Sequence, residues 1–473
     1  MNDSSSRHIL LVVGLAMSGL LLLSAVPWSR LTGNLIKDFN LFGQLFPSDI
    51  GEGLFVEDVK TGLDSELDEF LAEYSVPESA DTTVAEAVDV VGEADSAVVS
   101  VPLSEAPLVN GVVGIECYLP EGTVAFPHLR SALNSASGRT VRIAVLGDSF
   151  IEGDLFSQDL RDAFQSRYGG VGVGFVQMHS DFPGFRRSVK MSDSGWTLHD
   201  IRTMGYSDTV RTLSCDYAVA SGNAVTTFSG NAKNERLAAW DRSTFVFLSR
   251  DSGTVVMSGD FGERQFMVGP SSEPQFLTVE GRTARLKVST AMAGLIALGT
   301  YLDGQSGVQV DCMSIRGNSG MPLRRINAGL CASMAECVPY DMIILEYGIN
   351  AISEGQSDYS AYGLAMSAVI ERLRSVYPCA DILVLGVSDR GVKRDGVVKS
   401  LPACASMVDV QRRMAHRSGV HFWDMRAAMG GENSAVDWRR RKLLNADYIH
   451  LNQAGGSEMA RLLFDAISQS LDD

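Results

Sequence analysis

A serine in the first third of the 473-residue chain and an aspartate and histidine near its end are of the types needed for nucleophilic catalysis. Ser149 closes the tripeptide Gly147-Asp148-Ser149, directly after the apolar run Val141 to Leu146, and Asp447-Tyr448-Ile449-His450 lies close to the C-terminus. A serine hydroxyl is a weak nucleophile until an imidazole accepts its proton, which makes His450 the candidate base. The imidazole needs an acceptor on its other nitrogen to hold one tautomer, and Asp447, three residues earlier on one short turn, can reach it. An acyl-transfer site also needs donors fixed in advance around the developing oxyanion. Gly317, within Ser314 to Gly320, is one candidate, because a residue without a side chain lets a backbone N–H approach the substrate. Asn350, which follows the buried-strand pattern Asp341 to Tyr347, is the other, through its side-chain amide.

The order of these pieces resembles the four blocks of the SGNH, or GDSL-type, hydrolase superfamily: Ser in Gly-Asp-Ser, a Gly, an Asn and an Asp-x-x-His. The resemblance implies a Ser149 nucleophile, a His450 base oriented by Asp447, and an oxyanion hole made by the N–H groups of Ser149 and Gly317 with the Asn350 amide. Ala351 departs from the family, which often has Asp after the third-block Asn. The stretch Gly147 to Asp154, continuing through Leu160-Arg161 to Tyr168-Gly169-Gly170-Val171-Gly172-Val173-Gly174-Phe175, looks like the bacterial peptidoglycan O-acetylesterase branch. That branch carries a β-rich, carbohydrate-binding-like module between the first and second blocks, and the long interval from Ser149 to Gly317 leaves room for one.

The elements that must position these residues have their own signals. Val141 to Leu146 reads as a strand and Asp154 to Tyr168 as a helix with Leu155, Leu160, Ala163 and Phe164 on one side. A serine between them stands at the carboxyl edge of a parallel strand, where open α/β sheets place their ligands. Strand and helix alternate again in Asp341 to Tyr347, Tyr359 to Ser375, Asp381 to Val387, Ser406 to Ser418 and Val420 to Trp423, and Ala454 to Ser468 closes as an amphipathic helix. The expected fold is a three-layer α/β/α arrangement around a parallel sheet. Short β-favouring segments between 185 and 300, such as Thr244 to Leu248, Thr254 to Met257 and Ala284 to Val288, predict an inserted antiparallel sandwich. Its Trp196, Trp240, Tyr206 and Tyr217 suit either a core or a sugar-stacking face. The expected organisation is an anchor over 1–30, an acidic linker over 31–110, hydrolase segments over 111–184 and 301–473, and the β-rich module over 185–300.

The net charge of −17 is concentrated in one place: Asp49 to Glu105 holds sixteen acidic residues against Lys60 alone. Such a stretch behaves as a solvated tether, within which Leu63 to Tyr74 has helical spacing. Ile9 to Trp28 is uncharged and long enough, at about 20 residues, to cross a bilayer, so a single-pass anchor with the catalytic part in the periplasm or outside is expected. The seven cysteines show no zinc-ligand spacing and predict no disulfide framework, with Cys331 and Cys337 as the pair that could bond in an oxidising compartment. His416 and His421 lack a carboxylate at triad spacing and read as structural. Asp148, Glu152 and Asp154 read as shaping the serine turn, and Arg186, Arg187, Arg316, Arg324 and Arg325 as surface or glycan-facing cations.

Neither a cofactor nor a metal is expected, and no nucleic-acid partner. The function that follows is a serine esterase removing O-acetyl groups from a cell-envelope glycan, peptidoglycan first, through an acetyl-serine intermediate. Two alternatives stand beside it: an O-acetyltransferase working with a membrane acyltransferase, and a non-catalytic carbohydrate-binding envelope protein.

Overall fold

The computed structural model describes residues 107–109 and 111–472. The apolar run Ile9 to Trp28, most of the acidic stretch and the helical segment Leu63 to Tyr74 lie outside the described residues. Among the described residues no helix is long and apolar enough to cross a membrane.

The site is carried by a six-stranded sheet in the order Gly307–Ser314, Thr140–Gly147, Met342–Glu346, Asp381–Leu385, His421–Trp423 and Glu116–Cys117. The first five strands are mutually parallel. The sixth pairs antiparallel with His421–Trp423, so the sheet is mixed rather than purely parallel as expected. Its strands read as almost unbroken apolar runs because both faces are covered. Val141, Ile143 and Val145 face the core formed with helices Pro127–Leu133, Ser157–Tyr168 and Gln453–Asp472. Ala144 and Leu146 face the opposite core, formed with helices Ala328–Cys337, Ser360–Val376 and Ala403–Ser418. The period-2 alternation of a strand thus feeds two helical layers.

Between helix Ser157–Tyr168 and strand Gly307–Ser314 the chain forms nine antiparallel strands. This region begins earlier than residue 185, because Gly172–Val176 pairs antiparallel with Thr300 to Asp303. It is also one hydrogen-bonded sheet rather than two. Strand Ile296–Asp303 pairs with Asp216–Gly230 on one edge and with Trp240–Ser249 on the other, joining the limbs that a sandwich would keep apart. Residues of both limbs, among them Phe228, Leu286, Phe245, Phe247 and Leu302, share one buried core.

Arg142 joins the two sheets. Its guanidinium is buried in a charge-assisted cluster with Asp303, at the end of an antiparallel strand, and with Asp311 of the neighbouring parallel strand, 3.0 Å away. Asp311 also accepts the Tyr340 hydroxyl at 2.9 Å and the Phe175 N–H at 2.9 Å, so its lone pairs are satisfied by three different segments. Replacing one member of such a cluster strands the opposite charges in a low-dielectric interior. Arg142→Leu is therefore expected to lower unfolding stability by about 3–5 kcal/mol in urea titration, well beyond the effect of an exposed Arg→Leu change.

His421 is structural, as its sequence context suggests. Its Nε2 accepts the Phe126 N–H at 3.0 Å, its Nδ1 faces the Ile382 carbonyl at 3.3 Å, and its ring stacks on Phe126. Both nitrogens are committed in the neutral tautomer, and burial drives the imidazole pKa down to about 4. With an unfolded value near 6.5, the unfolded chain takes up the proton first. The stability that His421 contributes is then complete above about pH 6.5 and is lost as pH falls towards about 4. Urea midpoints between pH 7.5 and 4 should fall more steeply for the wild type than for His421→Gln; parallel slopes would contradict this assignment.

Candidate active site

The parallel strands end in register. Gly147 is opposite Ser314 on one side and Glu346 on the other, and Glu346 is opposite Leu385. The loops that follow the first three strands therefore leave from one level of the sheet, and they carry Ser149, Gly317 and Asn350. The fourth piece, Asp447 to His450, reaches this edge from a loop closed by the Leu444–Leu451 bridge and by the Asn445 N–H bonding the His450 carbonyl at 2.8 Å. Helix Gln453–Asp472 begins directly behind that loop, and Gly456 lets it sit against the serine turn. A Cβ there would stand 2.1 Å from the Leu155 carbonyl oxygen.

Ser149 Oγ lies 2.9 Å from His450 Nε2, and His450 Nδ1 lies 2.8 Å from Asp447 Oδ2. Asp447 Oδ1 accepts the Ile449 and His450 backbone N–H groups at 2.9 and 3.1 Å, which fixes the carboxylate relative to the ring it orients. Burial pushes the Asp447 carboxyl pKa up, but the His450 ring and these backbone donors outweigh burial and hold it below the usual value. Asp447 is thus an anion facing a ring nitrogen, an arrangement that selects the Nδ1–H tautomer and leaves Nε2 free to accept from the serine.

Gly317 follows the neighbouring strand in a left-handed conformation, φ 76°, that a side chain would strain. Asn350 sits in the short 3₁₀ turn Ile349–Ala351. Its Nδ2 donates to Asp148 Oδ2 at 2.7 Å and, more weakly, to the Asn318 carbonyl at 3.2 Å. The five residues expected to form the site thus converge on one edge of the sheet. Ala351, the departure from the family pattern, is buried, and its N–H bonds the Gly348 carbonyl, so the turn closes without an acidic side chain.

Several residues that hold the site together carry no signal in the sequence. Glu152 accepts from Arg316 Nε and Nη2 at 2.9 and 2.6 Å, tying the serine turn to the Gly317 loop, so Arg316 is not a solvated surface cation. Tyr362 donates its hydroxyl to the Ser319 carbonyl at 2.9 Å, and Gln411 brackets the Asn350 turn by bonding the Tyr347 carbonyl and the Val387 N–H. Asp154 and Arg161 form a fully buried pair at 2.8 Å beneath the turn, with Arg186 at 3.3 Å. Burial raises the Asp154 pKa, yet these two guanidinium groups carry it down to about 2. Each such partner lies far along the chain or on a face that spacing does not reveal. Asp148, Glu152 and Asp154 do shape the turn, as their positions suggest.

Cys331 and Cys337 are free thiols, one buried and one exposed, at the two ends of a single helix that presents them on different faces. Trp240 and Tyr217 are buried core residues. Trp196 is also largely buried but lines an open cleft of about 460 Å³ with His179, Asp181, Asp200 and Arg202. No cluster of metal-ligating side chains occurs among the described residues.

Comparison with known proteins agrees with this geometry. Residues 288–456 match the GDSL-like Lipase/Acylhydrolase family, a span that holds Gly317, Asn350, Asp447 and His450 and begins within the last strands of the antiparallel insertion that separates them from Ser149. The whole described fold is similar to a solved peptidoglycan O-acetylesterase at TM-score 0.62 and 21% identity, covering 76% of this chain and 99% of that one. An acetyl xylan esterase structure is similar at TM-score 0.27 and 19% identity, covering 34% of this chain and 81% of that one. A family two carbohydrate esterase from Clostridium thermocellum is similar at TM-score 0.26 and 14% identity, covering 54% and 95%. A comparison with curated protein sequences gives no match. The matched span and the fold are similar to those of the GDSL-like acylhydrolases. Within that class it resembles the peptidoglycan O-acetylesterases, and an acylhydrolase acting on an ester is the activity this supports.

Because an amide in place of the Asp447 carboxylate can present an N–H₂ to the ring and favour the wrong tautomer, Asp447→Asn is expected to lower kcat by at least about a hundredfold. Its thermal midpoint should remain close to that of the wild type. Aryl-acetate kinetics together with a melting curve check both halves.

Proposed function

We propose that the protein is a serine esterase that removes O-acetyl groups from a cell-envelope glycan, with peptidoglycan as the substrate that the resemblance favours. The observation that carries the reading is the continuous chain from Ser149 Oγ through the His450 ring to the Asp447 carboxylate. In the first step Ser149 Oγ attacks the ester carbonyl as its proton passes to His450 Nε2. The Asp447 anion stabilises the imidazolium that results. The Ser149 and Gly317 N–H groups and the Asn350 amide stabilise the oxyanion. Collapse expels the sugar oxygen, which takes the proton back from Nε2 and leaves an acetyl-serine. A water molecule deprotonated by the same imidazole then releases acetate and restores Ser149.

Hydrolysis is favoured over transfer to a second sugar by the openness of the base: the His450 side chain is 38% exposed, so water can reach the face from which it must attack. We place the N-terminal apolar run in the membrane as a single-pass anchor and the acidic stretch as its tether. This arrangement would hold the esterase against the envelope glycan outside the cytoplasm.

Wild-type protein should release acetate from O-acetylated peptidoglycan faster than from acetylated xylan, and Ser149→Ala should reduce the rate by at least about a hundredfold. Equal rates for wild type and variant would refute a serine mechanism. Transfer of acetyl to an added glycan acceptor without acetate release would instead indicate a transferase.

A further inference from the structure

Asp148 lies between the nucleophile and the oxyanion donor, and the mechanism above gives it no task. It is fully buried, yet its two carboxyl oxygens face in different directions. Oδ1 accepts the Phe150 N–H at 2.8 Å, across the turn that presents Ser149, and Oδ2 accepts Asn350 Nδ2 at 2.7 Å, across two strands of the sheet. The carboxyl of Glu346 is buried beside Asp148 at the end of the adjacent strand. One side chain therefore spans the serine turn and the Asn350 turn.

We propose that Asp148 is a positioning residue that sets which end of the Asn350 amide faces the reacting carbonyl; this rests on the reading of Ser149 as nucleophile and Asn350 as oxyanion donor. A side-chain amide has a donor end and an acceptor end of nearly equal shape. Only the N–H₂ end stabilises an oxyanion; the carbonyl end would repel it. Burial raises the Asp148 carboxyl to about 7; in its ionised form, above that pH, it accepts and cannot donate, so it then admits the N–H₂ end and excludes the other. With one N–H held at 2.7 Å, the second hydrogen projects towards the Asn318 carbonyl at 3.2 Å. That long bond is the one a developing oxyanion can replace, while the Asp148 bond keeps the amide from turning as it does so. The Phe150 contact on the other carboxyl oxygen references the amide to the same turn that carries the Ser149 Oγ and N–H.

The test uses the full chain with Asp148→Asn, Asn350→Ala and the double variant. Asp148→Asn is close in shape, but it supplies only one accepting oxygen for two donors. It is expected to lower kcat on an aryl acetate by about 10–100-fold, with KM changed less than about threefold, because an oxyanion contact is lost and ground-state binding is not. The double variant should match Asn350→Ala within about twofold, since Asp148 acts through that amide. An unchanged kcat in Asp148→Asn, or losses that multiply in the double variant, would overturn the proposal. A second readout is independent of turnover. The Asn350 side-chain N–H₂ signals, identified by their absence in Asn350→Ala, should be protected from solvent exchange in the wild type and lose about tenfold of that protection in Asp148→Asn. Unprotected signals in the wild type overturn the proposal even if Asp148→Asn does not fold. If Ser149→Ala proved as active as the wild type, the esterase reading would fall and the amide signals would still decide the role of Asp148.

Discussion

The site exists because three parallel strands stop on the same rung. The pairing of Gly147 with both Ser314 and Glu346 sets the serine turn, the Gly317 loop and the Asn350 turn side by side at the carboxyl edge. A register change of one residue on any of these strands would exchange its buried faces. In the central strand it would bring Arg142 out of line with Asp311 and move Val141, Ile143 and Val145 to the other helical layer. The hydrophobic alternation that stabilises the sheet is thus the same constraint that aligns the chemistry. Once the rungs are fixed, the remaining distances are short-range matters of turns: Glu152 with Arg316, Gln411 with the Asn350 turn, and the Leu444–Leu451 bridge behind His450.

Charge is arranged differently above and below that edge. Below it, Arg142 with Asp303 and Asp311, and Arg161 with Asp154, are ions fully removed from water. A buried pair of this kind adds little net stability over an apolar replacement, but it strongly penalises any arrangement that separates its members. Both clusters reach out of the parallel sheet, the first into the antiparallel insertion and the second into the helix after the serine turn, so the penalty falls on misdocking of exactly those parts. At the edge itself, burial raises the Asp148 carboxyl to about 7, with Glu152 adding to the rise, and pushes Glu346 up as well, with Asp148 adding to that one. Two carboxyls so close to the nucleophile are tolerable only because they are not both forced to ionise. The His450 ring works against that rise and lowers the Asp148 value.

The candidate site was legible in the sequence because each of its residues has a local signature. Ser149 follows an apolar strand, Asp447 and His450 stand three apart, and Asn350 ends a second apolar strand. The α/β elements were legible too, since strands such as Met342–Glu346 and helices such as Ser360–Val376 are long enough for their periods to register. The first strand of the insertion was not, because Gly172-Val173-Gly174-Phe175-Val176 alternates glycine with apolar residues and reads as a loop until Thr300 to Asp303 pairs with it. The hairpin Gly391–Arg394 with Val397–Ser400 is similarly short and exposed. Gln411, Tyr362 and the Arg316–Glu152 pair escaped for a different reason: their roles are defined by partners between 24 and 164 positions away. Periodicity reports which face of an element is buried and says nothing of which distant backbone group a polar side chain on that face will meet.

The insertion illustrates how a large segment can be added without disturbing the rung alignment. It leaves after helix Ser157–Tyr168 and returns directly into Gly307–Ser314, so both ends are tied to elements that already neighbour the serine strand. Gly307 bonds back to the Ala136 carbonyl at 2.7 Å, and Val308 to that of Gly169 at 2.8 Å, which closes the excursion at its base. Closing a long loop costs only slightly more entropy than closing a short one. Once the base is pinned, the insertion can be as large as its own core supports. The same tie explains why a family match to the catalytic part starts only at residue 288 although the serine lies at 149: the sequence is interrupted, while the hydrogen-bonded neighbourhood of Thr140–Gly147 and Gly307–Ser314 is not. Ser149 and the loops that carry Gly317 and Asn350 are therefore adjacent through strand pairing alone, and the intervening residues need only avoid that edge of the sheet.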